Sequence, residues 1–304
     1  MKKIFLINFN EENSRLDRWF KRFVCNIPQS LIEKSIRKGK IKVNNKIKKS
    51  SYKLKRNDEI KIYNINYSSS NLNKPNSNYK ATKKEISKSS EMFIEDNENF
   101  SVINKPSGIS VQSGTKSKRN IIDILKSTKE FYEYSPYTVH RIDKETTGVF
   151  IVAKNRKYAQ LFTSLFRIRK IYKTYLCIVI GEMKKKDKGK FIDQLFTYEG
   201  NKKIFTKAIT KYEVIDTNNN YSLLKLNPET GRKHQLRKQL LIRGHPILGD
   251  NKYRFIDSDK KKDSNLMLHS YKINFTINGT KHKYIAELND IFKKTLKEKY
   301  LKIY

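Results

Sequence analysis

Near the start of the chain, apolar residues return twice at helical spacing. In SRLDRWFKRFV, Leu16, Trp19, Phe20 and Phe23 share one side of a helix that Ser14 is placed to cap. A second helix opens near Pro28, whose missing N–H suits a first turn, shows Leu31, Ile32 and Ile36 as its apolar face and stops at Gly39. Beyond it KIKVNNKIK predicts a hairpin turning at Asn44-Asn45, residues that tolerate a left-handed backbone, and DEIKIY predicts a further strand. These elements make one small unit over 14–63. From 64 to 90, NINYSSSNLNKPNSNYKATKKEISKSS is rich in Ser, Asn and Lys and poor in apolar residues, which predicts a flexible linker.

Over 91–304 the pattern changes. NFSVINKP, GVFIVAK, KTYLCIVIG and YSLLKLNP read as strands and NRKYAQLFTSLFRI as a helix. The run Val149 to Ala153 is apolar throughout, as in a strand buried on both faces, and Gly148 ends the turn that leads into it. Helices do not alternate regularly with strands. The predicted fold is therefore α+β, a mixed, mainly antiparallel sheet behind a small N-terminal α/β unit.

Charge adds a partner to this picture. Lys and Arg number 66 against 30 Asp and Glu, a net charge of +36, and a polyanion is the expected partner. Lys, Asn and Ile are all over-used, a bias that an AT-rich genome also produces, so the sign of the charge carries more than its size. Met1 to Asn10 is strand-like rather than a signal peptide, and no apolar run approaches membrane-spanning length, so a cytoplasmic protein is expected. Cys25 and Cys177 lie far apart and outside any CxxC spacing, and the five histidines lack i, i+4 pairing. Neither a disulfide framework nor a metal site is expected.

Two stretches carry candidate chemistry. In HRIDKETTGVFIVAKN, residues 140–155, Asp143 falls in the loop before the buried strand. Its side chain either closes that loop as an Asx-turn, accepting an N–H from Thr146 or Thr147, or faces a pocket. His140 is either a satisfied core histidine or a base. In PETGRKHQLRKQLLIRGHPILGDNKY, residues 228–253, a helix from Lys233 would turn Leu236 and Leu240 inward, with Arg232 at its start. Lys233 and Arg237 are i, i+4 neighbours on it, either on a solvated face or with Arg237 opposite a buried Asp143, offsetting its desolvation. A metal-dependent nuclease using Asp143 and Glu145 is a rival, weakened by the lack of further carboxylates in these motifs. A non-catalytic RNA binder is another.

With NKPSGISVQSG at 104–114 and KTYLCIVIG at 173–181, these stretches form four ordered motifs. Over roughly 92–275 the chain resembles the RluA-type branch of bacterial RNA pseudouridine synthases, nearest to members that modify large-subunit (23S) ribosomal RNA. Residues 14–63 resemble the alpha-L RNA-binding domain of ribosomal protein S four, with Leu16-Asp17 opening the first helix and GKIKVN following the second.

The resemblance implies an isomerase that needs neither cofactor nor metal, with ribosomal RNA as partner; the oligomeric state is not read from the sequence, and a monomer is the default expectation. It implies that Asp143 is the catalytic aspartate, that Tyr175 lies beneath the target uracil and that Arg237 pairs with Asp143. Arg141 would fill the space left by the flipped base, and Leu236 and His140 would line the substrate site. Lys34, Arg37, Lys38 and Lys40 would grip structured RNA through phosphates. Two departures stand out: Ile142 where leucine is common, and Gln239 where histidine is frequent.

Overall fold

A computed structural model describes all residues except Met1, 9–10, Asn26, 64–80, 113–118, 200–201, 256–264 and Tyr304. The chain divides into two compact units, Met1–Ser77 and Asn78–Tyr304.

The first unit contains β1 (Lys2–Leu6), α1 (Leu16–Phe23), α2 (Gln29–Arg37), β2 (Ile41–Val43) and β3 (Glu59–Tyr63). Its antiparallel sheet has the order β1-β3-β2. Leu16, Trp19, Phe20, Ile32 and Ile36 from the helices pack on Ile41, Val43, Ile60 and Ile62 from the strands. Phe23 departs from the expected buried face: it is 45% exposed and leans on Trp19.

Ser14 makes no cap. Arg15 occupies the N-cap position without a side-chain capping bond, and the first free N–H groups of α1 are satisfied by loop backbone instead, Leu16 donating to Tyr52 O and Asp17 to Ser50 O. The predicted hairpin shrinks to a single bridge, Val43 to Lys46, around left-handed Asn44 and Asn45. The residues after it offer only Ile47, 56% exposed, to bury. β2 pairs with β3, and the Asn44 amide clips on to the start of β3 by accepting from Glu59 N–H and donating to Asp58, both at 2.8 Å.

Of the segment expected as linker, 64–80 lies outside the described residues, but its last part is ordered as α3 (Lys83–Ser89). Thr82 and Glu85 form a reciprocal capping box that stabilises this short helix despite its polar composition.

The second unit continues with β4 (Phe93–Asp96), β5 (Phe100–Lys105), α4 (Ile121–Leu125), β6 (Tyr137–Thr138), β7 (Thr147–Ala153), α5 (Arg156–Arg167), β8 (Tyr172–Ile180), β9 (Lys188–Glu199), β10 (Lys202–Thr217), β11 (Tyr221–Pro228), α6 (Gln235–Ile242), β12 (Leu268–Ile277), β13 (Thr280–Ile285) and α7 (Asp290–Glu298). One mixed sheet runs β4-β5-β7-β12-β8-β11-β10-β9, with β6 on β7 and β13 on β12; among the described strands only β7 and β12 pair in parallel. This is the mainly antiparallel α+β architecture that the strand pattern predicts.

β7 is buried on both faces: Val149, Ile151 and Ala153 pack with Phe162 of α5, while Phe150 and Val152 pack with Ile121 and Ile124 of α4. Gly148, at φ +102°, enters it. A Cβ there would sit 2.2 Å from Ser270 O, so only glycine lets β12 approach so closely. β12 in turn pairs Ser270 with Tyr175 of β8. That close approach brings the loop before β7 and the start of β8 to one end of the sheet.

Candidate active site

The loop that carries Asp143 is held from below. Lys105, fully buried at the end of β5, donates from Nζ to Pro106 O, Ile109 O and Lys144 O at 2.8, 2.9 and 3.1 Å. Gly108 N–H also reaches Lys144 O, and Ser107 Oγ reaches Glu145 O. The NKPSG turn is thus a clamp on the backbone at 144 and 145, while Ser113 and Gly114 of the same motif lie outside the described residues. Burial pushes the Lys105 pKa down to about 7, only partly opposed by Glu145 and Asp143.

The Asx-turn is not made. Thr146 N–H donates to the backbone oxygen of Asp143 at 3.2 Å, which leaves the carboxylate for other partners. It accepts from Arg237 Nη1 at 3.1 Å, and its other oxygen lies 3.6 Å from His234 Nε2. The Asp143 side chain is 24% exposed.

Arg237 is not free to choose this geometry. Its Nε and Nη2 donate in parallel to the two oxygens of Asp250, both at 2.7 Å, and its guanidinium lies over the Tyr253 ring at 5.1 Å. Asp250 also accepts from Lys252 N–H and Tyr253 N–H. Burial works against the charge on Arg237, but Asp250 and Asp143 outweigh it and raise its pKa. Two of the three guanidinium nitrogens are fixed by Asp250, and the third is aimed at Asp143.

α6 begins two residues later than expected because His234 adopts a left-handed backbone, φ +52°. The turn before it is bracketed by buried Gln235, which accepts from Thr230 Oγ1 and Arg232 N–H and donates to Ile209 O and Thr210 Oγ1. His234 Nδ1 in turn meets Tyr253 OH at 2.9 Å.

Asp143, Arg237, Tyr175, Leu236, His234 and Arg141 line one cavity of about 110 Å³. It shares Arg141, Tyr175, Lys173 and Arg232 with a cleft of about 980 Å³ whose wall adds Arg167, Arg169, Lys211 and Tyr172. Burial raises the Tyr175 pKa to about 12, so its hydroxyl stays protonated. Arg141 is exposed and borders both spaces.

His140 borders only the larger cleft, and its Nε2 accepts from Ile151 N–H at 2.9 Å. Its ring lies 4.6 Å from both Phe150 and Phe166, and burial lowers its pKa to about 3. This is a satisfied core histidine bracing β7. Gln239 lines neither cavity: fully buried, it ties α6 to Thr210 at 2.6 Å and to Asp193 at 2.7 Å. Asp250, Tyr253, His234 and Lys173 escaped sequence reasoning, although GDNKY and KTY lie within the motifs that signalled the site. Among the described residues no three His, Cys, Asp or Glu side chains are grouped to hold a metal ion.

Residues 99–241 match the RNA pseudouridylate synthase family, and residues 14–60 match the S4 domain. The chain is 32% identical over 312 residues to ribosomal large subunit pseudouridine synthase C of Buchnera aphidicola subsp. Schizaphis graminum, an alignment covering 96% of each protein. The chain belongs to the RNA pseudouridylate synthase family. Its members are isomerases that act on RNA. The protein of the same name from Haemophilus influenzae is 28% identical over 309 residues, 97% of this chain and 94% of that one. Human RNA pseudouridylate synthase domain containing 4 shares the fold, with a TM-score of 0.61 at 24% identity over 72% of this chain and 96% of the other. The matched residues 99–241 contain the loop of Asp143, Tyr175 and Arg237.

Proposed function

We propose that this enzyme converts specific uridines to pseudouridine in large-subunit ribosomal RNA, with Asp143 as its catalytic carboxylate. The reading rests on one observation: Arg237, anchored by Asp250, holds one oxygen of Asp143, while the carboxylate borders a cavity lined by Tyr175 and Leu236. The relatives named for ribosomal large subunit pseudouridine synthase supply the substrate class.

The reaction breaks the bond from ribose C1′ to uracil N1, turns the base and joins C1′ to C5; the C5 proton leaves and N1 gains one. Asp143 either attacks the sugar or removes its 2′ proton, and both roles need a carboxylate held at fixed distance from the ribose. A uridine stacked in a helix cannot enter so small a cavity. It must be flipped, at a cost of a few kcal/mol, and Tyr175 replaces part of the lost stacking while Leu236 takes the other contact. Arg141, exposed at the rim, occupies the gap left in the RNA.

Binding energy for the flip comes from phosphate contacts. Lys34, Arg37, Lys38 and Lys40 stand exposed along α2 and the turn after it, a basic ridge on the S4 unit. The enzyme acts as a monomer in the cytoplasm; no helix among the described residues is long and apolar enough to cross a membrane.

Tritium release from ribosomal RNA carrying tritium at uracil C5, measured with chelator present, tests this directly. Wild type releases tritium and leaves the RNA intact, and Asp143→Asn lowers the rate by about a thousandfold or more. Absence of release from every authentic large-subunit RNA would sink the assignment, and magnesium-dependent cleavage would replace it with a nuclease.

A further inference from the structure

β9 and β10 form the edge hairpin of the large sheet, and the two faces of this arm differ sharply. One face is covered. Gln239 of α6 and Arg243 just after it reach Asp193, and Arg243 lies over the Phe191 ring at 4.1 Å.

Residues directly opposite in an antiparallel ladder share a face, so Ile192, Gln194 and Phe196 lie on the other side together with Ile209, Lys207 and Phe205. There Phe205 and Ile192 are each 57% exposed and Phe196 41%. Apolar side chains this open on an edge hairpin invite association unless something occupies them.

Cations are interleaved with the rings on this face. Lys203 Nζ lies 5.1 Å from the Phe205 ring centre and 4.2 Å from that of Phe196. Further along, Lys207, Lys190 and Lys211 are exposed on the same side, and Glu229 lies 3.6 Å from the last two without matching their charge. The strip runs into the site: Arg232 donates to Lys207 O and borders both cavities, and Lys211 lines the larger one. From Phe205 to Lys211 is about 20 Å along an extended strand.

We propose that this face of the β9–β10 arm binds the unpaired nucleotides flanking the target uridine, with bases against Phe205 and Phe196 and phosphates on Lys203, Lys207 and Lys211. This rests on the reading of RNA as substrate and adds a second binding surface to it. A single strand supplies flat apolar rings and anionic groups in alternation, the two things this strip offers partners for, whereas a duplex hides its base faces. An apolar protein partner would have to strip water from the interleaved ammonium groups, a cost RNA phosphates remove.

The test uses the full-length chain, a fluorescein-labelled oligouridylate and a labelled RNA hairpin without single-stranded flanks. Phe196→Ala/Phe205→Ala is expected to weaken oligouridylate binding by about tenfold or more while changing hairpin binding less than about twofold. Phe205→Tyr keeps the ring and retains wild-type binding. Lys203→Gln/Lys207→Gln lowers the salt slope for the oligouridylate by about 0.7 per lost contact. Unchanged oligouridylate binding in the double alanine variant, or an equal loss for both RNAs, overturns the proposal. So does a dimer that dissociates on that substitution with RNA binding intact, which would make the face an interface between copies. Tritium release by wild type separates the two readings: a protein that releases none yet binds oligouridylate through Phe205 loses the isomerase assignment alone, and one that releases tritium but shows no Phe205 dependence loses the arm alone.

Discussion

Asp17 in the S4 unit and Asp143 in the catalytic unit are both aspartates paired with an arginine, and they are built for opposite ends. Asp17 accepts four hydrogen bonds, two from Arg15, one from Gln29 and one from Arg18 N–H, and is 1% exposed. Asp250 is treated the same way, with two bonds from Arg237 and two from backbone. Asp143 accepts one bond from Arg237, with His234 at 3.6 Å and a cavity beyond. A carboxylate whose acceptor positions are all filled can only hold structure. One that is oriented by a single fixed donor keeps lone pairs for a substrate.

The largest separation is expected between Asp143 and Asp250. Asp143→Asn removes the reaction but costs less than about 1 kcal/mol of stability, because Arg237 keeps both bonds to Asp250. Asp250→Ala strands a guanidinium whose side chain is 6% exposed, and it should cost about 3–5 kcal/mol together with activity. Urea unfolding and tritium release on the same two variants check this; equal stability losses would erase the distinction.

Asp17→Ala comes next. Arg15 is 40% exposed and is rehydrated when its partner goes, so the cost should be about 1–3 kcal/mol, and it should fall on the S4 unit. Trp19 is the only tryptophan and is 2% exposed inside that unit, so its fluorescence follows this unit separately. The variant should lower the Trp19 transition and raise the RNA concentration needed for half-maximal rate, leaving the rate at saturation alone.

Acid gives the smallest and most graded contrast. All five histidines lie at 140 or beyond, outside the S4 unit. Burial lowers the pKa of His140 to about 3 and that of His269 to about 4. In the unfolded chain both take a proton near pH 6.5, so their contribution is complete above that pH and is lost as pH falls toward the folded values. The slope approaches about 1.4 kcal/mol per pH unit for each. Denaturation at pH 7.5, 6 and 5 should therefore show the catalytic unit weakening while the Trp19 transition holds, and His269→Asn should make the slope shallower.

Much of this was legible along the chain. The strand runs, the long helix after Asn155, the buried β7 and the basic face of α2 follow from periodicity, because burial on one or both faces repeats with the geometry of the element. The motif residues Asp143, Tyr175 and Arg237 line one cavity, and the expected pairing of Arg237 with Asp143 is made across 94 positions of sequence. Errors fell where local patterns compete with distant partners. Ser14 had the chemistry of a cap, but loop backbone at Ser50 and Tyr52 reached the helix first. The hairpin at Asn44-Asn45 lost to pairing with β3, and polar 83–89 became helical through one reciprocal cap.

Sequence by itself determined which side chains are available: an aspartate in the loop before β7, an arginine on the distant α6, a tyrosine in β8 and a glycine that admits a neighbouring strand. Only the tertiary structure decided that Asp250 saturates itself on Arg237, that His140 spends its nitrogen on Ile151, and that Asp143 is left with acceptor capacity facing a cavity. Residue type fixes how many hydrogen bonds a group can make; which of them are already taken depends on neighbours brought in from elsewhere in the chain.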